Sequence, residues 1–181
     1  MRHLAIATVT VLLASLPARA EVTRSQLEHA LSGYETPITA ETMQALGPGW
    51  EAALVALVRD PGAAPLYRLR AIAGLAFART PEAAAVLREL LAQKGAETQG
   101  FAALEVEEAI RALASVEGRR AAPILAPFLE HALPDIRAMA SQQLARLGES
   151  APVKARLARE RNPVVRASAL RALERSAAVG R

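Results

Sequence analysis

Apolar residues along this chain recur three and four positions apart far more often than they alternate. Trp50, Leu54, Leu57 and Val58 form one such stripe, and Ala83, Val86, Leu87, Leu90 and Leu91 form another. That spacing puts each set on one face of a helix. The same period runs through 25–32, 40–46, 121–131 and 152–160. Helix punctuation separates the stretches: Gly47-Pro48-Gly49, Asp60-Pro61-Gly62, Gly95, Gly118, Leu133-Pro134-Asp135, Gly148-Glu149-Ser150 and Asn162-Pro163. Thr80 reads as an N-cap, with Pro81 in the first turn that follows. No run alternates apolar and polar residues with β-branched or aromatic enrichment, so the pattern predicts an all-α chain without strands.

The helices also repeat. Leu69-Arg70-Ala71, Ile136-Arg137-Ala138 and Val165-Arg166-Ala167 align on their arginine, each with an apolar residue before it and another seven places after it. A fourth segment, 106–113, fits the apolar pattern with Val106 in the arginine slot. Self-similarity at intervals near thirty residues predicts an α-solenoid of stacked antiparallel helix pairs. The second helices of the pairs are expected over 50–59, 82–94, 120–131 and 152–160, and the last repeat has only its first helix. In the third of these, Pro123 suits an opening turn whereas Pro127 predicts a bend. Alanine, at 42 of 181 positions, fits this architecture, because small side chains let short helices pack closely.

The residues Leu133-Pro-Asp-Ile-Arg137-Ala-Met-Ala140, Leu144-Ala-Arg-Leu-Gly148 and Asn162-Pro-Val-Val-Arg166-Ala-Ser-Ala169-Leu170 resemble the HEAT-repeat family, especially the bacterial short-HEAT type also found in phycobilin lyases. The resemblance runs from about 61 to 174, within repeats expected over 50–181. It weakens over 21–49, which reads as degenerate N-terminal helices or a cap. It implies that Arg70, Arg137 and Arg166 brace adjacent repeats, each reaching a carbonyl or an acid of its neighbour. It also implies that the second helices line a concave, partner-binding face. On that face the expected exposed positions are Arg59, Arg88, Glu89, Glu130, Lys154 and Arg159, a mixed-charge groove suited to protein or peptide. An uncovered C-terminal end, with Val164, Leu170 or Leu173 open, invites a partner or self-association.

The N-terminus carries a different pattern. Met1-Arg2-His3 is a short positive start, 4–16 is an uncharged apolar run, and Ala18 and Ala20 are small residues at the positions a signal peptidase reads. This predicts a cleavable secretory signal over 1–20, a domain over 21–181, and a periplasmic or secreted protein with no stable membrane anchor after cleavage. Cleavage would remove Arg2 and Arg19 and no acid, leaving +2 of the formal +4. The chain has no cysteine, which rules out disulfides, thiolate metal sites, cysteine nucleophiles and a lipoprotein anchor.

No catalytic constellation emerges. His29 and His131 lack neighbours at metal-ligand spacing apart from Asp135, which lies beyond a proline, and His131 reads as a residue favouring a helix C-terminus. Glu105, Glu107 and Glu108 read as a solvated first helical turn, with Arg111 as an ion-pair partner. No metal, cofactor or catalytic residue is expected. The leading expectation is an exported, non-enzymatic scaffold or adaptor that binds a protein partner. One alternative is an enzyme accessory subunit of the lyase-associated type. The other is a nucleic-acid-binding HEAT protein if the chain is not exported, a reading that the small net charge and few aromatics oppose.

Overall fold

The computed structural model describes residues 22–33 and 37–179, and the predicted signal segment 1–20 lies outside them. Two short helices come first, α1 (Arg24–Ser32) and α2 (Ala40–Gln44). They are followed by α3 (Trp50–Arg59), α4 (Pro65–Leu75), α5 (Pro81–Lys94) and α6 (Gly100–Glu117). The stretch after α6 is broken into a 3₁₀ turn (Gly118–Ala121), α7 (Ala122–Leu125) and a second 3₁₀ turn (Ala126–Glu130). Then come α8 (Pro134–Arg146), α9 (Ser150–Leu157) and α10 (Pro163–Val179). Among the described residues there is no strand.

The helices form two layers. In the first, α4 packs on α6, α6 on α8 and α8 on α10. The second contains α3, α5, the 118–130 stretch and α9, each packed against a helix of the first layer. This is an all-α, HEAT-like solenoid. The core runs unbroken along it, from Leu27, Leu31 and Met43 through Ile72, Leu87, Ile110 and Leu125 to Leu144 and Ala169. Helices of 8 to 18 residues with one apolar face are marginal alone, so the stack itself stabilises them. Gly74 shows how close the approach is: a Cβ there would lie 2.9 Å from Leu54 Cδ1 and 3.0 Å from Met43 Sδ.

Three local expectations change. The helix expected over 121–131 is not one bent helix but α7 between two 3₁₀ turns, because Pro123 and Pro127 each remove an N–H and clash with the preceding turn. Gly118, at φ 58°, ends α6 and sets the stretch off in a new direction. Thr80 sits at the N-cap of α5, yet its side chain makes no capping bond. The side-chain caps form instead at Thr23 with Gln26 and at Thr39 with Thr42, both as reciprocal capping boxes. At the C-terminal end Val164 and Leu170 are 68% and 46% exposed, whereas Leu173 packs partly buried against the core.

Candidate interaction surface

The repeat arginine belongs to the fourth residue of a helix that begins with proline. Arg137 is fourth in α8 after Pro134, Arg166 is fourth in α10 after Pro163, and Arg68 is fourth in α4 after Pro65. Arg70, whose apolar neighbours match those of Arg137 and Arg166, lies two residues further along α4 and thus outside this register. From the shared position each guanidinium turns back to carbonyls in the connection before its helix. Arg137 Nη1 donates to His131 O at 2.9 Å and Ala132 O at 2.8 Å. Arg166 Nη1 donates to Leu157 O at 2.9 Å and Glu160 O at 3.1 Å. Arg68 Nη1 reaches Ala63 O at 3.4 Å. These carbonyls lie where helix ends and turns leave acceptors without intrahelical partners. The Pro-x-x-Arg spacing was present in the sequence and marks the register. Helix α6, which starts at Gly100 and has Ala103 fourth, lacks it.

Two of these arginines also close buried ionic clamps. Glu105 is fully buried and accepts from Arg68 Nε and Lys94 Nζ, both at 2.6 Å. Glu160, with its side chain 3% exposed, accepts from Arg137 Nε at 2.8 Å, from Arg156 Nη2 at 2.9 Å and from the Asn162 N–H at 2.8 Å. The Arg137 guanidinium holds the Glu160 carboxyl down to about 2. Glu105 is therefore a clamp, not part of a solvated helical turn, because α6 aims it between α4 and α5. Glu108 remains with Arg111, at 2.5 Å, and burial pushes its carboxyl above the usual range. His131 caps the second 3₁₀ turn, and its Nδ1 accepts the Leu133 N–H at 3.1 Å. Burial lowers its pKa, so it acts as a neutral acceptor and not as a cation on a helix dipole.

The exposed charges of the second layer are mostly paired with partners one repeat away. Arg59 of α3 meets Glu89 of α5 at 3.0 Å, and Arg159 beyond α9 meets Glu130 at 2.5 Å. Arg88 of α5 pairs with Glu117 of α6, and Arg119 pairs with Glu149 at 2.9 Å. All four pairs join residues 29 or 30 apart in sequence, which is the repeat length written in ion pairs. Five of the six expected groove residues are thus tied into inter-repeat pairs, while Lys154 has no ion pair among the described residues. Small residues are also exposed on these helices: Ala52 and Ala56 on α3, Ala92 on α5, Ala151 and Ala155 on α9.

This repeated helical architecture has a counterpart among known families. Residues 104–174 match the family model for HEAT repeats. The matched segment takes in most of α6, the 118–130 stretch, α8, α9 and the greater part of α10. No curated protein and no solved structure matches the chain. HEAT repeats serve in general as protein-interaction scaffolds and are typically non-catalytic.

The clefts of the HEAT-like stack are shallow and charged. One of about 420 Å³ lies between α3 and α5, where Arg59, Asp60, Arg68, Glu89 and Lys94 surround Val58, Val86 and Leu90. A second, about 520 Å³, separates α8 from α10 and is lined by Gln142, Gln143, Arg146, Ala172 and Arg175. Among the described residues no group of three His, Asp or Glu is placed to hold a metal ion. No helix among them is long and apolar enough to cross a membrane.

Proposed function

We propose that this chain is an exported, non-enzymatic HEAT-repeat scaffold that binds a protein partner across its second layer. The observation that carries this reading is the outer face of that layer. Exposed alanines on α3, α5 and α9 alternate with the Arg59–Glu89 and Glu130–Arg159 pairs, and Lys154 is unpaired. Small side chains interspersed with charges of both signs suit a folded surface or an extended peptide better than a small molecule. Exposed pairs of this kind contribute about 0–1 kcal/mol each, so a partner can exchange them at little cost. Export rests on the three-part pattern of residues 1–20.

Two measurements test the reading. Mass spectrometry of the natural protein is expected to find Glu21 at the N-terminus, and an intact Met1 would remove the export part. A photocrosslinking residue at Ala56 or Ala155 is expected to capture one protein partner from the native compartment. The same residue at Arg171, on α10, is expected to capture none. Equal capture from all three positions, or capture from Arg171 alone, would overturn the assignment of the second layer.

A further inference from the structure

One part of the second layer departs from its pattern of paired charges. At the start of α5 a cleft of about 270 Å³ opens towards the turn after α6, lined by Arg79, Thr80, Pro81, Ala84, Arg88 and Arg120 together with Val116 and Glu117. Three arginines thus line a cleft that holds a single carboxylate, Glu117. Glu117 is nearly buried and is held by Arg88. Arg79 Nη1 donates to Ala78 O at 3.0 Å, which leaves most of its donors unused. Glu51 is the nearest acid in the hydrogen-bond network, but it takes the backbone N–H of Arg79, at 2.6 Å, and not the guanidinium. Neither Arg79 nor Arg120 has an ion pair among the described residues. The Thr80 hydroxyl is buried without a hydrogen-bond partner.

We infer that this cleft receives the carboxylate side chains of an acidic segment on the protein partner. The inference rests on the scaffold reading above and names the chemistry of the partner. Elsewhere along this edge an arginine finds its acid one repeat away, as Arg88 does in Glu117 and Arg119 in Glu149. Arg79 and Arg120 lack that acid, so the complementary charge comes from outside the chain. Guanidinium groups match carboxylates in planar, two-bond geometry, which suits Arg79 and Arg120 to a carboxylate entering the cleft. A peptide fits better than a nucleic acid because the net charge is small, 22 basic residues against 18 acids, and the neighbouring arginines Arg59, Arg88 and Arg119 are already paired. The cleft has room for one or two side chains, and Thr80 also lines the neighbouring cleft that contains Ala52, so a segment lying on α3 can place an acid here.

The test uses the full chain and a fluorescein-labelled peptide of alternating glycine and glutamate, four glutamates long, with its glutamine counterpart, at 150 mM salt. The glutamate peptide is expected to bind at least tenfold more tightly than the glutamine one. Arg79→Gln and Arg120→Gln should each weaken it about three- to tenfold and together abolish it. Because neither arginine has an ion pair, the double variant should melt as the parent does. Lys154→Gln should change binding by less than twofold. Undiminished binding by the double variant, or displacement by inorganic phosphate below 1 mM, would overturn the inference. So would failure of the glutamate peptide to bind. If crosslinking from Ala56 still captures a partner in that last case, only the cleft assignment falls and the scaffold reading stands. If that capture fails as well, both fall together.

Discussion

Glu105 and Glu160 do the same job from different places in the repeat. Each gathers the arginine at the fourth position of one first-layer helix and a cation near the end of the following second-layer helix: Arg68 and Lys94 for Glu105, Arg137 and Arg156 for Glu160. Glu160 reaches them from the connection after α9, within the same helix pair, and Glu105 from inside α6, the first helix of the next pair. What recurs along the stack is therefore a geometry of one buried carboxylate between two cations, while the sequence position that supplies the carboxylate is free to move. A buried acid is tolerable only with such partners, since an uncompensated charge in the interior costs several kcal/mol.

The two clamps differ in redundancy, and that difference can be measured. Arg68→Met leaves the fully buried Glu105 with Lys94 alone, and urea denaturation is expected to show a loss of about 3–5 kcal/mol. Replacing Glu105 by Leu in the same protein should restore most of it, because both buried charges are then gone. A double variant no more stable than the single one would break the account of Glu105 as a clamp. Arg137→Met is expected to cost less, about 2 kcal/mol, because Arg156 and the Asn162 N–H still hold Glu160. Equal losses at the two sites would erase the distinction.

Acid sharpens the comparison further. The Glu160 carboxyl sits at about 2 in the folded chain and near 4.5 when unfolded, so its contribution is complete above about pH 4.5 and is lost as the pH falls towards 2. With solvent screening allowed for, about 2 kcal/mol is expected to disappear across that window, and Glu160→Gln should flatten that part of the stability–pH profile. A profile unchanged by the substitution would mean that the short contacts to Arg137 contribute little. The smallest effect belongs to the exposed edge. Arg59→Ala, which opens the pair with Glu89, is expected to cost less than about 1 kcal/mol, and the cost should shrink further in high salt.

Most of the helices could be read from the chain because their apolar stripes are regular and their ends carry proline or glycine. Helix α3 spans the residues expected of it, and α5 begins one residue earlier than expected. What escaped was information that one dimension does not hold. Arg70 aligns well on its apolar neighbours, but only the helix start at Pro65 shows that Arg68 shares the position of Arg137 and Arg166. Glu105 looked like one of three acids in an exposed turn, since nothing local reveals that Lys94, eleven residues earlier, and Arg68, thirty-seven earlier, converge on it. The six candidate groove residues are exposed, and five of them belong to a ladder of long-range pairs. That ladder was implicit in the repeat spacing, because Arg59 and Glu89, like Glu130 and Arg159, stand one repeat apart. The unpaired Arg79 and Arg120 carried no signal of their own, since their meaning depends on which other arginines are already occupied.

The placement of Glu160 also bears on how such a chain grows. The segment 134–162, from Pro134 to the residue before Pro163, contains Arg137, Arg156 and Glu160 together, so the carboxylate and both cations of this clamp come from one unit, with Glu130 of the preceding unit as a second acid beside Arg156. It can be duplicated or moved as a block, and each copy would bring its own clamp. The pair formed by α4 and α5 lacks that independence, because its carboxylate belongs to α6, and excising α6 would strand Arg68 and Lys94. Tandem lengthening of this molecule is therefore easiest near its C-terminal end, where one building block supplies a clamp's carboxylate and both its cations.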